Sequence, residues 1–161
     1  MARTENRFAN ILVRWIRREH EATLRVLKTL GDQHRDFRSH PKSMPAGEIA
    51  RHLVASQRGF VMRLKGEVPS TFEMPDSWAP LIEACERHFR GAVRYVESIG
   101  DEGLAGETHY DGRKRVRLDV ICEMVSHEIH HRAQLASYIR HLDLPVPEIH
   151  TIATDTGEKM A

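Results

Sequence analysis

Apolar residues recur at helical spacing along four stretches of this chain, and polar or Gly/Pro-rich segments separate them. The first stretch runs from about Glu5 to Leu30. Phe8, Ile11, Leu12, Trp15, Ala22, Val26 and Leu30 keep the period, and Gly31 is placed to end it. Glu19 falls in a gap of that stripe, at its edge or facing inward. A polar connection follows and closes at Pro41. The second stretch opens at Ser43, a good N-cap, with Pro45 just inside and Glu48 in the first turn. Its inward positions are Ile49, Leu53, Ser56, Phe60 and Leu64, and it stops at Gly66. Residues 66–76 hold Pro69 and Pro75 and are long enough to cross the bundle rather than merely reverse direction. The third stretch starts at Asp76 or Ser77 and runs to Ile99, with Leu81, Ile82, Cys85, Phe89, Ala92, Val93 and Val96 apolar. Glycines at 100, 103 and 106 then interrupt it.

Strand is expected only between Glu107 and Arg117, where Asp111-Gly112 is a tight-turn pair between two short flanks. The fourth helical stretch spans Leu118 to Leu142 and ends at Leu144-Pro145-Val146-Pro147. Four helical segments without a βαβ pattern predict an all-α fold. It is a four-helix bundle with a long crossover between helices 2 and 3 and a short hairpin before helix 4. Residues 1–150 are expected to form one domain, and 151–161 a loosely ordered tail.

Composition narrows the function. The chain has 161 residues, with 24 Lys plus Arg against 23 Asp plus Glu, so neither a nucleic-acid nor an anionic-membrane footprint is expected. Arg113-Lys114-Arg115 is a local basic cluster of the loop type. Two cysteines, Cys85 and Cys122, make no disulfide framework, and no run is long and apolar enough for a signal peptide or a membrane span. The expectation is a reduced, cytoplasmic protein.

The candidate chemistry lies in the fourth helix. Setting His127 at zero and turning about 100° per residue puts Val120, Met124, His131, Leu135, Tyr138 and Leu142 within about 80° of it. His127 and His131 therefore leave one face a turn apart, inside an apolar stripe. That spacing suits two-point coordination of one metal ion by a rigid helix. A lone inward histidine is more often a hydrogen-bonded core residue, but a seam rarely carries two such rings unless they have a shared purpose. Two flanking side chains are candidates as well: Glu128 for proton transfer at the pocket edge, and Gln134 for orienting a ligand. Arg132 reads as a surface or dimer residue, His130 as no ligand, and Glu19 as a remote fourth ligand.

His127-Glu128-Ile129-His130-His131 also fits the H-E-x-x-H pattern of zinc peptidases. A metzincin would continue with Gly at position 134 and His at 137, where this chain has Gln134 and Ser137. A thermolysin-like enzyme needs a downstream glutamate on another helix, but Glu148 follows a Pro-rich exit. No sheet precedes the helix.

His127-x-x-x-His131-Arg132-x-Gln134 near the C-terminal end, with His52 in the second helix some 75 residues earlier, resembles the DinB/YfiT-like superfamily. Helix count, loop positions and the Asp111-Gly112 turn extend the likeness over nearly the whole chain. The resemblance implies a four-helix bundle, often a homodimer, with one divalent metal (zinc, nickel, iron or manganese) held by His52, His127 and His131 and otherwise open to solvent. It implies a small-molecule substrate and thiol S-transferase-type chemistry with a low-molecular-weight thiol as co-substrate. Metal-dependent hydrolysis and a non-catalytic helical dimer or interaction module are the alternatives. Gln134 and Tyr138 are then candidates for substrate binding.

Overall fold

The computed structural model describes residues 6–149, so the tail expected beyond 150 lies outside the described residues. Four long helices carry the fold: α1 (Arg7–Thr29), α2 (Ala46–Leu64), α3 (Trp78–Ala105) and α4 (Arg117–His141). A 3-10 turn, Asp32–His34, lies between α1 and α2. An antiparallel hairpin, β1 (Glu107–Tyr110) and β2 (Arg113–Val116), precedes α4 in the register Glu107 with Val116 and Tyr110 with Arg113. Asp111 and Gly112 both take positive φ, 49° and 74°, as a two-residue hairpin turn requires.

Helix directions follow from which ends meet. The start of α3 meets the end of α1, where Trp78 Nε1–H donates to the Leu27 carbonyl. The start of α1 meets the end of α3, where the Asp101 carboxylate accepts the Phe8 and Ala9 amides and so caps α1. α1 and α3 are therefore antiparallel. α2 and α3 start together, at Arg51 and Asp76, and end together, where the Tyr95 hydroxyl donates to the Leu64 carbonyl. They are parallel, so residues 65–77 run back along the length of the bundle. Arg58 holds that crossover by donating to the Ser70 carbonyl and hydroxyl, and lies over the Phe72 ring. This is the long crossover expected from the loop's length. α1 and α2 each pack against both α3 and α4.

Two helix boundaries differ from the sequence reading. α2 begins at Ala46 with Pro45 in the cap position, not at Ser43. α3 continues past Ile99, but Gly100 takes φ 59°, ψ −168°, and breaks it where the sequence ends it. A Cβ at Gly100 would lie 2.5 Å from Asn6 Oδ1, so the residue that caps α1 sits one step beyond a position only glycine fills without strain.

The interior of the bundle has two apolar clusters. One gathers Leu12, Ile16, Phe60, Val93, Val120 and Ile121, and the other Val26, Ile49, Leu53, Trp78, Leu135 and Ile139. Between them lie buried polar side chains: His20, Gln57, Glu128 and Arg132. The α1 stripe is rotated from its sequence reading. Ala9, Leu12, Val13, Ile16, His20, Thr23 and Leu27 face inward, while Phe8 and Ile11 stay 47% and 49% exposed.

Candidate metal centre

α4 is buried against both α1 and α2, so its inward face is broader than a single stripe. Ile121, Val125, Ala136 and Ile139 are buried together with Val120, Met124, Leu135 and Tyr138. The middle of this face lies about 90° round from His127. Glu128 and Arg132 occupy that middle, and the two histidines occupy the edge that meets α2. His52 leaves the flank of α2 toward the same edge.

The three imidazoles converge there. His52 Nε2 lies 3.0 Å from His127 Nε2, and His131 Nε2 lies 3.2 Å from it. One ligand nitrogen from each ring falls within 4.8 Å of the others. Three nitrogens each about 2.0–2.1 Å from a tetrahedral metal stand about 3.3 Å apart, so the donor set fits a divalent ion. Gln134 fixes the tautomer of His131. Its Oε1 accepts from His131 Nδ1–H at 2.7 Å, which leaves the Nε2 lone pair facing the other rings. Ser56 Oγ sits 3.4 Å from His52 Nε2, and the Phe60 ring meets His127 edge-on with centroids 5.8 Å apart.

Burial keeps His127 and His131 neutral near pH 7. Burial, with His131 and His52 alongside, lowers His127 from an ordinary 6.5 to about 4. Burial also lowers His131, against the opposing hydrogen bond to Gln134. Near neutral pH a cation entering the site meets lone pairs rather than protons on these two rings. The same shift sets a stability window for chelator-stripped protein. The unfolded chain protonates His127 near 6.5 and the folded chain only near 4. Below 6.5 the unfolded state therefore binds more protons. Stability is expected to be level above that pH and to fall as the pH drops from 6.5 toward 4. Thermal melts at stepped pH measure this, and His127→Gln should flatten that part of the profile.

Several sequence expectations are corrected by position. Glu128 is not at a pocket edge. It is 4% exposed, its Oε1 accepts from His20 Nδ1–H at 3.0 Å, and its Oε2 accepts from Gln57 Nε2–H at 3.0 Å. Burial raises its pKa, but His20, Thr23 and Gln57 together outweigh that and the net shift is downward. Arg132 is not a surface residue. It is buried and donates to the Glu19 carboxylate and carbonyl, each at 2.8 Å, which also occupies Glu19. Tyr138 is buried in the second apolar cluster, where its hydroxyl donates to the Met44 carbonyl at 2.9 Å. Cys85 is buried near Gln57 Oε1, and burial pushes its thiol well up, as suits a small core residue rather than a nucleophile. His20 was missing from the sequence reading. Its one available signal was its position four residues after Ile16 and seven before Leu27, on the true inward face of α1.

The seam of this helical bundle thus carries three converging histidines that could hold a metal ion. The chain belongs to the DinB superfamily, whose family model matches residues 16–135. The fold is similar to that of a DinB-like protein from Bacillus cereus ATCC 10987, at 19% identity over 86% of this chain and 95% of that one, with a TM-score of 0.75. It is also similar to a DinB-like protein (YjoA) from Bacillus subtilis, at 20% identity over 88% and 98%, with a TM-score of 0.72. No curated protein matches its sequence.

Proposed function

We propose that His52, His127 and His131 hold one divalent metal ion and that the site catalyses thiol transfer to a small electrophile. The observation that carries this reading is the convergence of three Nε2 atoms from two helices, with His131 oriented by Gln134. When bound, such an ion supplies positive charge that lowers the pKa of a thiol or water beside it. The chain's own residues do the rest. Neutral imidazole donors leave that charge undiminished, and Gln134 and Ser56 set the orientation of the rings. The rings of His52 and His127 are half-buried, so the seam is open to a small substrate. In the reaction the sulfur forms a bond to an electrophilic carbon. The leaving group departs with its electron pair, and the thiol proton passes to solvent.

Glu128 and Tyr138 serve the bundle in this reading. The exposed Phe8 and Ile11 on α1 support a homodimer packed on that face. No helix among the described residues is long and apolar enough to cross a membrane. A cytoplasmic location is part of the proposal, and the free cysteines suit it.

The test uses protein purified without a nickel column and reloaded with zinc or manganese. Small thiols are screened for a rise in melting temperature, then for consumption with an electrophilic aryl chloride. A rise seen only with metal, and turnover that needs both thiol and metal, are expected. Ester cleavage without thiol would replace transfer by hydrolysis. No thiol-dependent change in either measurement would overturn the proposal.

A further inference from the structure

His52, Gly59 and Arg63 stand at i, i+7 and i+11 on α2. At about 100° per residue they align to within about 20° down one face. That line runs from the histidine cluster toward the hairpin. Arg63 lies back along it: a Cβ on Gly59 would be 3.0 Å from Arg63 Nη1, so the missing side chain is what lets the guanidinium rest there. The floor beside it is aromatic. Phe60 stacks on Tyr110 at 5.6 Å and meets His127, and the Arg63 guanidinium lies 5.6 Å from the Tyr110 ring centre.

The charges around it are unevenly satisfied. Arg115, also over Tyr110, is hydrogen-bonded to Glu123. Arg63 is half-buried, and its guanidinium makes no hydrogen bond among the described residues. Its nearest acid, Asp111, is 3.6 Å from Nε and two-thirds exposed. A planar fork of five donors is thus held on an aromatic face with no hydrogen bond among the described residues and only a loose, exposed ion pair to Asp111. The rise of α2 puts Gly59, and the guanidinium over it, about 10 Å from His52.

We propose that Arg63 binds the carboxylate of the small thiol that reacts at the histidine cluster, and so selects thiol carboxylates over neutral thiols. A carboxylate is favoured over a phosphate because one guanidinium, held only by a loose ion pair to the exposed Asp111, matches one planar monoanion, while the second arginine is already taken by Glu123. This inference rests on the thiol-transfer reading and sharpens it.

The test uses the full chain loaded with cobalt(II), whose visible absorption reports thiol binding without turnover. Mercaptoalkanoates and mercaptoalkanols of matched length are titrated in parallel. The acids are expected to bind about 10-fold or more tighter, with the preference peaking where the chain spans about 10 Å. Arg63→Met should abolish the preference while leaving the alcohols' affinity unchanged. Gly59→Ala, which suits a helix and so keeps the fold, should reduce it by displacing the guanidinium. Equal binding of acids and alcohols to the native protein, or a preference that survives Arg63→Met, overturns the assignment of Arg63 and leaves thiol binding standing. If no thiol of either kind changes the cobalt spectrum, the thiol-transfer reading falls and this inference falls with it.

Discussion

His131→Ala and His52→Ala are each expected to lower divalent-metal affinity by about 100-fold or more while leaving the helical spectrum unchanged. Each removes one of three protein donors, and neither ring fills the apolar clusters, so the fold does not depend on them. The two variants test different things. His131 is fixed by its own helix and by Gln134, and its loss disturbs a preformed pair. His52 comes from the opposite side of the seam, so its loss tests whether two helices share one ion. Gln134→Ala leaves all three rings in place and frees only the tautomer and rotation of His131. It should cost about 10- to 100-fold, between the native protein and the ligand deletions. Competition against a chromogenic chelator measures all three. Undiminished affinity in His52→Ala would remove α2 from the site.

The architecture was readable because each helix ends at a residue with a local physical reason to end it. Gly31, Gly66 and the Pro145/Pro147 exit stop α1, α2 and α4 within two or three residues of the expected points. Asp111-Gly112 announced the hairpin because few other pairs take two consecutive positive φ values. Residues 65–77 announced the crossover because a reversal does not need so many. The histidine pair was legible for the same local reason, since i and i+4 share a face whatever surrounds the helix. His52 was legible only in combination, because its flank position has meaning only once the neighbouring helix is known.

The interior polar layer was not readable, for a reason the rotation of α4 makes plain. A stripe centred on His127 puts Glu128 at its edge and Arg132 on the outside, because charged residues count against a core. α4 packs on two helices, and its buried face is correspondingly wider. The partners that make those charges tolerable, His20 and Glu19, lie more than 100 positions away in sequence on α1. Nothing local to either member of such a pair marks it as inward. The same blindness misplaced the α1 stripe, where His20 and Thr23 sit on the buried line and Phe8 and Ile11 do not.

Glu128→Ala is expected to destabilise the protein by about 3–5 kcal/mol, because it strands a buried partner instead of removing a pair. His20 is 2% exposed and stacked flat on Phe89 at 3.6 Å, so it cannot turn to water. Gln57 Nε2 would lose its acceptor as well. For a chain of this size the loss corresponds to a fall in melting temperature of roughly 6–20 °C. The pair is not ideally satisfied even in the native fold, since His20 Nε2 is buried with no hydrogen-bond partner among the described residues. The double change His20→Leu with Glu128→Leu should therefore cost less than Glu128→Ala alone, with a measurable coupling between the two sites. Glu128→Gln separates this structural role from proton transfer. It keeps the shape and one acceptor oxygen but cannot take up a proton at neutral pH. If Glu128 only secures α1 and α2 to α4, the glutamine variant loses part of the melting temperature and keeps its metal affinity and turnover. If it serves the reaction, turnover collapses while the melting temperature stays near that of the native protein.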